Sequence, residues 1–317
     1  MNNAGIPSVN LADFINGTPQ QKDAFVQQLG KAYEDIGFVA VRGHFLSDEL
    51  SQNLYQQVQQ FYALSDDKKE AYQVPGLAGQ RGYTSFGKEH AKGRTEGDLK
   101  EFWQFGQWVD DGDKIKDEYP DNVGINELPQ FNVYGKEAYK KLEETGKYML
   151  RAIALYLGLN EFYFDDKIHN GNSILRAIHY PPITNEPKSA VRAAEHEDIN
   201  LITLLMGASA EGLEVLNKQN QWVAITALPD QLVVNVGDML QRLTNNKLKS
   251  TTHRVVNPPR EKWGTSRFSI PFFLHPKSNM PLNCLTDCVT NENPLQYQPI
   301  TAGQYLDERL REIGLKK

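Results

Sequence analysis

Apolar residues in the first half of the chain recur at the three- and four-residue spacing that is typical of amphipathic helices. From Pro19 to Ile36 this spacing persists, with Thr18 in the N-cap position and Gly37 after the last turn. The apolar face consists of Phe25, Leu29, Tyr33 and Ile36. Comparable patterns predict helices from Ser47 to Leu64, over residues 131–157 and from Thr301 to Ile313. A short strand, GFVAVRGH, is predicted between the first two helices.

The stretch from residue 75 to residue 130 has a different character. Glycines, charged residues and aromatic residues are dense there, and no periodicity persists for long. Segments of this kind often run over a protein surface and line a binding cleft. We therefore expect a long surface excursion that borders a cleft.

Beyond Gly158 the pattern changes to short segments that are rich in β-branched and aromatic residues and are separated by turn residues. These segments are SILRAIHY, INLITLLM, LEVLN, WVAI, QLVVNVGD, STTHRVV and RFSIPFFL. Strands spaced this closely must pair mostly antiparallel, in a sandwich or barrel. The predicted fold class is mostly β with flanking helices around a double-stranded β-helix, or jelly roll. We expect one globular unit, with residues 1–125 as a helical and strand region packed on a jelly-roll domain of residues 126–317.

Composition and charge narrow the possible partners. The chain has 317 residues, 40% of them hydrophobic, and a formal net charge of −6 with no basic block. This charge argues against a nucleic-acid partner. The sequence contains neither a leader-like segment nor a long apolar run, so we expect a cytoplasmic location and no membrane partner. Two cysteines, Cys284 and Cys288, are too few for a disulfide framework and are expected to be structural or incidental.

Candidate chemistry begins with His196 and Asp198 in the stretch AAEHEDINLITLL. Two side chains separated by one residue on a strand point to the same face and can converge on one ion. His253, in another predicted strand, is the candidate third ligand. Two imidazoles and one carboxylate suit Fe(II). Zinc is the alternative metal, although its HExxH helix is missing, and a solvated acidic patch that includes Glu195 and Glu197 is the alternative without a metal.

A second pair, Arg267 and Ser269, alternates on the apolar strand RFSIPFFL. A guanidinium that points inward from such a strand needs an anion as its partner. We expect an external acid held by the arginine and the hydroxyl. The alternative is an ion pair with a protein carboxylate at the rim of the barrel.

With these residues in place, the chain resembles the isopenicillin N synthase-like family of non-haem iron oxygenases, most of which depend on 2-oxoglutarate. The likeness includes IPSVNLADF, IGFVAVRGH, LRAIHYPP, AAEHEDINLITLL, LVVNVGDMLQRLTNNKLKSTTHRVVNP and RFSIPFF. The resemblance implies that His196, Asp198 and His253 bind Fe(II) and that Arg267 and Ser269 grip the distal carboxylate of 2-oxoglutarate. It also implies that Tyr180 hydrogen-bonds a bound carboxylate.

The resemblance implies that the chain oxidises a small-molecule substrate with O2 while 2-oxoglutarate is converted to succinate and CO2. Two alternatives stay open: an iron oxidase of the same family that does not use 2-oxoglutarate, and a metal-free binding protein of the same shape. The oligomeric state is not indicated by the sequence.

Substrate contacts are expected from the excursion described above. The candidates, which lie in QRGYTSFG and DLKEFWQFG, are Arg81, Tyr83, Lys100 and Phe102, with Trp103 beside them. The alternative is that Phe102 and Trp103 only pack the excursion on the barrel. The remaining histidines are expected to be structural or surface groups; they are His44, His90, His169, His179 and His275.

Overall fold

The computed structural model describes residues 6–77, 79–90, 97–109, 112–187, 189–207, 211–226, 228, 230–313 and 315–316. In this part of the chain the strands are β1 (Ser8–Asn10), β2 (Phe38–Arg42), β3 (Gly82–Thr84), β4 (Glu101–Gly106), β5 (Ile174–Tyr180), β6 (Ala193–His196), β7 (Ile202–Met206), β8 (Leu213–Leu216), β9 (Trp222–Ala224), β10 (Leu232–Val236), β11 (His253–Val255) and β12 (Arg267–Leu274). The α-helices are α1 (Leu11–Ile15), α2 (Pro19–Asp35), α3 (Asp48–Tyr62), α4 (Asp66–Glu70), α5 (Pro129–Tyr156), α6 (Asp165–Ile168), α7 (Asp238–Leu243) and α8 (Ala302–Glu312). Short 3-10 helices cover Lys114–Glu118, Arg260–Lys262 and Thr286–Cys288.

The strands form two sheets that face each other. An eight-stranded sheet has the order β1-β2-β10-β7-β12-β5-β4-β3, and a four-stranded sheet has the order β6-β11-β8-β9. All the described pairings are antiparallel except that of β1 with β2. Apolar side chains join the sheets, because Phe38 and Val233 of the larger sheet pack with Leu213 and Val215 of the smaller one. This is the expected jelly-roll architecture, with antiparallel pairing as predicted.

Helices cover the outer face of the larger sheet. The 28-residue helix α5 buries a row of apolar residues in the main core, together with residues of α2 and α3. Its Gly146 comes so close to the sheet that an added Cβ would lie 2.3 Å from a methyl carbon of Leu274. The helix can pack this tightly because a glycine stands at the contact.

The helix predictions are confirmed. Thr18 caps α2 in a capping box with Gln21, and Gly37 follows the helix with a positive φ of 74°. Ser47 caps α3 by accepting a hydrogen bond from the backbone of Leu50, and Thr301 caps α8. The seven predicted strands are also present; six are shorter than their predicted segments, and β12 covers the whole of RFSIPFFL.

The expectation of a surface excursion over residues 75–130 is wrong in part. Strand β4 lies within this stretch, all six of its residues are buried, and it pairs with both β3 and β5. The polar residues of β4 can be buried because they have partners elsewhere in the chain: Glu101 contacts Lys69 and His179. Strand β4 therefore ties the N-terminal region into the larger sheet, and the division between residues 125 and 126 stays a prediction.

No helix in the described ranges has the length and apolar composition needed to cross a bilayer.

Candidate metal and carboxylate site

The side chains of His196, Asp198 and His253 meet inside the sandwich. His196 is the last residue of β6 and lies opposite His253, the first residue of β11, in the antiparallel register. Asp198 follows two residues later, in the loop that leads to β7, so it is not on the strand itself. One donor atom of each side chain lies within 4.8 Å of the others, and the imidazole centroids are 4.3 Å apart.

Backbone carbonyls fix both imidazoles. Nδ1 of His196 lies 2.7 Å from the Ala194 oxygen, and Nδ1 of His253 lies 3.0 Å from the Thr251 oxygen. A carbonyl oxygen can only accept, so each Nδ1 carries the proton and donates it. The lone pair is therefore on Nε2 of both rings. Burial lowers the pKa of His196 to about 4, with a contribution from neighbouring His253, so the ring is neutral at pH 7.

The Asp198 carboxylate is held through one of its oxygens. Oδ2 accepts hydrogen bonds from Thr203 Oγ1 at 2.6 Å and Asn235 Nδ2 at 2.7 Å. Oδ1 lies 3.8 Å from His253 Nε2. Burial opposes ionisation of Asp198, but His253, His196 and the two hydrogen bonds lower its pKa below the ordinary value. The carboxylate is thus ionised, with Oδ1 turned towards the histidines.

This donor set fits ferrous iron. Two imidazole nitrogens and one carboxylate oxygen converge from one side, which is the facial arrangement of non-haem iron sites. The solvated acidic patch is wrong for these residues, because Asp198 and His253 are only 6% and 8% exposed. Glu195 and Glu197 have other partners: Glu195 forms an ion pair with Arg254, and Glu197 accepts a hydrogen bond from the Thr252 hydroxyl.

Arg267, Ser269 and Tyr180 lie together on the larger sheet. Arg267 is directly opposite Tyr180 in the β12–β5 register, and its guanidinium carbon lies 5.0 Å from the centroid of the tyrosine ring. All three side chains are buried and line the same cavity as the triad. The strand alternation predicted from sequence therefore turns Arg267 and Ser269 to one face, inside the sandwich.

The cavity has a volume of about 430 Å³, within the range of small-molecule sites. Every second residue of the neighbouring strands β5 and β12 contributes to one wall of the cavity. The wall continues to one further residue beyond each strand. On and before β5 the wall residues are Asn172, Ile174, Arg176, Ile178 and Tyr180, and on and after β12 they are Arg267, Ser269, Pro271, Phe273 and His275. Helix α8 closes another side with Leu306 and Leu310, together with Ile313 directly after the helix; no pattern in the sequence indicates this role.

The structure separates the four candidate substrate residues. Lys100 lines the cavity, where its Nζ lies 2.7 Å from Glu89 and 2.9 Å from Asp98. Phe102 does not line the cavity but is buried beside the lining residues Ile178 and Tyr180, with the guanidinium carbon of Arg176 4.1 Å above its ring.

Arg81 and Tyr83 are directed away from the cavity. Arg81 donates to the Pro120 carbonyl, and the Tyr83 hydroxyl donates to Glu101. Trp103 is fully buried among Phe61 and Phe131. Trp103 thus agrees with the packing alternative.

Among the other histidines, one lies on the far side of its strand from the triad and two line the cavity. His179 contacts Glu101 at 2.7 Å and Ser266 at 2.9 Å, away from the triad as its strand position predicts. His90 and His275 line the cavity, so the expectation that they are only structural or surface groups does not describe their location. Both cysteines are free thiols.

Comparisons with known proteins agree with this geometry. The family model described as "non-haem dioxygenase in morphine synthesis N-terminal" matches residues 6–130, and the model of the 2OG-Fe(II) oxygenase superfamily matches residues 171–276. A 2OG-Fe(II) oxygenase family protein from Caulobacter crescentus is similar in structure, with 42% identity, a TM-score of 0.87 and coverage of 98% of this chain and 100% of that one.

Two further relatives indicate the range of the family. A full-length Neurospora crassa protein, in a complex with α-ketoglutarate (2-oxoglutarate) and thymine, is 27% identical with a TM-score of 0.85, over 98% of this chain and 97% of that one. The proline hydroxylase buaE of Petromyces alliaceus is 30% identical over 96% of this chain and 98% of its own length. The chain therefore belongs to the 2OG-Fe(II) oxygenase superfamily, as a non-haem dioxygenase that uses Fe(II), 2-oxoglutarate and O2 to oxidise a small molecule.

Proposed function

We propose that Nε2 of His196, Nε2 of His253 and Oδ1 of Asp198 bind the iron. The observation that carries this assignment is the distribution of hydrogen bonds. In each ligand, the other polar atom of the side chain is hydrogen-bonded to a protein partner. The three remaining atoms are the ones that face one another. Such outer partners orient metal ligands and raise metal affinity.

We further propose that Arg267, Ser269 and Tyr180 bind the distal carboxylate of 2-oxoglutarate. A guanidinium offers a fork of donors that matches a carboxylate, and the serine and tyrosine hydroxyls can add single hydrogen bonds. The site lies at one end of the wall formed by β5 and β12, in the same cavity as the triad. One bound molecule could therefore reach from the arginine to the metal.

When bound, Fe(II) and 2-oxoglutarate together activate O2, and 2-oxoglutarate leaves as succinate and CO2. The protein's own residues supply position. The triad approaches from one side and leaves the other side for ligands, while α8 and the apolar wall residues restrict water. Position matters because a displacement of ~1 Å can cost about a hundredfold in rate.

An oxidase that does not use 2-oxoglutarate is the less favoured alternative, since the relatives are named for 2-oxoglutarate. Those relatives do not agree on a substrate: one is named a proline hydroxylase and another holds thymine. The substrate of this chain must therefore be sought in its own cavity.

The test is the weak visible charge-transfer band of the Fe(II)–2-oxoglutarate chelate, recorded without oxygen. Wild-type protein should give the band, His196→Ala should lose it, and Arg267→Leu should need at least about tenfold more 2-oxoglutarate because a charged hydrogen-bond partner is removed. His169→Gln, at an exposed histidine, is the control and should behave as wild type. A normal band in His196→Ala would overturn the assignment of ligands.

A further inference from the structure

We propose that Asn172, Arg176 and His275 form a substrate-recognition cluster that selects an uncharged amide, such as a lactam, a cyclic imide or a pyrimidine. This inference rests on the proposed function, because it assigns the end of the cavity that 2-oxoglutarate does not occupy.

The strand register places the cluster. Phe273 pairs with Ile174, and Asn172 donates its backbone N–H to Pro276, so Asn172 and His275 face each other one step beyond the last ladder pair. Arg176 is the next inward-facing residue after Ile174 along β5, on the side of Ile174 away from Asn172. The Arg267–Tyr180 pair is at the opposite end of the same two strands. The wall thus has a polar pair at each end, Asn172 with His275 and Arg267 with Tyr180, and Arg176 lies between them among mostly apolar residues.

The cluster has hydrogen-bonding capacity to spare. Within the described ranges, neither the ring of His275 nor the side-chain amide of Asn172 makes a hydrogen bond, although both residues line the cavity. Arg176 uses Nε on Gln104 and Nη1 on Glu89, while its Nη2 makes no hydrogen bond to a described residue. Polar groups as buried as His275, which is 7% exposed, usually have a partner. A ligand in the cavity is the partner that these atoms can reach.

Charge around the cluster is already balanced. Arg176 contacts both oxygens of Glu89 at 3.1 and 3.0 Å, and Lys100 bridges Glu89 and Asp98. Two cations and two anions thus form one chain along the wall. Burial lowers the pKa of His275 to about 4, so its ring is neutral at pH 7. A charged substrate would bury an uncompensated charge here, whereas a neutral one would not.

Donors and acceptors then define the class of ligand. The arginine only donates, while a neutral imidazole and an amide each both donate and accept. The complementary molecule carries a carbonyl acceptor and an N–H donor on one rigid edge, which is the edge of an amide. Phe273, whose ring lies under the Arg176 guanidinium carbon at 5.3 Å, adds an aromatic surface to the cavity wall beside the cluster.

Anaerobic calorimetry on the protein with Fe(II) and 2-oxoglutarate tests the proposal with matched probes. Uracil is compared with orotate (uracil-6-carboxylate), and 2-pyrrolidinone with pyroglutamate (5-oxoproline), because each pair keeps the amide edge and differs by one carboxylate. At least one neutral amide should bind about tenfold or more tightly than its matched acid. His275→Phe and Asn172→Leu should each weaken that binding about tenfold, since a hydrogen-bonding site that loses its partner discriminates strongly.

His169→Phe is the matched control, because His169 is exposed and does not line the cavity, and it should change the affinity less than about twofold. If His275→Phe or Asn172→Leu does not fold, His275→Leu or Asn172→Ala replaces it; His275→Gln, which keeps a donor and an acceptor, should retain most of the binding. Tighter binding of the acids, no binding of either amide, or unchanged amide binding in both variants would overturn the proposal. The chelate band separates the two levels: a wild-type protein with no band contradicts the proposed function, whereas a normal band without amide binding contradicts only this inference.

Discussion

The two histidines of the metal site share one local arrangement. Each donates its Nδ1 proton to the carbonyl of the residue two positions earlier, Ala194 for His196 and Thr251 for His253. The contact is short in sequence and needs no other side chain. The orientation of both rings therefore follows from extended backbone at the ends of β6 and β11.

Asp198 depends instead on distant partners, and this gives a first prediction. Thr203→Val removes the hydroxyl that donates to Asp198 Oδ2 and should weaken Fe(II) binding about 10- to 100-fold, because partners of ligating carboxylates tune metal affinity. Anaerobic Fe(II) titration measures the effect. Thr184→Val, at an exposed threonine, is the matched control. Equal Fe(II) affinity in Thr203→Val and wild type would refute this role of the hydroxyl.

At this scale the sequence predicts the residues that repeat a spacing. Arg267 and Ser269 are two apart on one strand, so alternation brings them to one side; His196 and Asp198 have the same spacing, although Asp198 lies in the loop after β6. Thr203 and Asn235 carry no such signal, since a polar residue in an apolar strand does not reveal its partner. Continuing the alternation from Arg267 to His275, and from Tyr180 back to Asn172, would have found the rest of the cavity wall.

At the scale of elements, periodicity predicted those whose burial follows from their own residues. Helices α2, α3, α5 and α8 each have an apolar face, and seven strands are apolar runs. Strand β4 was not predicted because Glu101 and Gln104 give its sequence the pattern of an exposed segment. Strand β6 was not among the predicted segments because it is short and ends in polar residues. The partners that allow these polar residues to be buried come from other parts of the chain.

Helix α8 leads to a second prediction. The Tyr305 hydroxyl donates to Asp238 Oδ2 at 3.0 Å and links the helix to the segment that follows β10. Tyr305→Phe should loosen the helix and speed amide hydrogen exchange in α8 about fivefold, which corresponds to roughly 1 kcal/mol for one hydrogen bond.

Tyr297→Phe is the control, because Tyr297 precedes α8 and donates to Asn246 instead. Exchange in α8 should match wild type in this variant. If Tyr305→Phe also leaves the exchange rates in α8 unchanged, the hydrogen bond does not hold the helix in place.

At the scale of the whole molecule, buried titratable groups connect the cavity with stability. Burial lowers the pKa of His275 to about 4, while an unfolded histidine titrates near 6.5. Between these values the unfolded chain binds a proton that the folded chain does not, so the folded state loses stability as the pH falls. Glu143 and Asp238 act in the opposite sense, because burial raises their pKa to about 7 and about 6.

A third prediction therefore compares a variant with wild type. In His275→Phe the unfolded chain no longer binds a proton at this position. As the pH falls from 6 to 4, the free energy of unfolding of the variant should therefore rise relative to that of wild type, by up to about 1.4 kcal/mol per pH unit. Urea unfolding of the metal-free protein at several pH values measures this difference. His169→Gln, at an exposed histidine, should show no such trend. A pH-independent difference for His275→Phe would mean that His275 is charged in the folded state.

The central claim is that three atoms, Nε2 of His196, Nε2 of His253 and Oδ1 of Asp198, hold the iron in the cavity that also contains Arg267. An anaerobic crystal structure with Fe(II) and 2-oxoglutarate, with the metal located by anomalous scattering at the iron edge, tests it most directly. We predict one strong peak within about 2.0–2.2 Å of all three atoms, distances usual for metal bonds to such ligands, and a 2-oxoglutarate carboxylate on Arg267. A peak elsewhere, or a cosubstrate carboxylate away from Arg267, would contradict it.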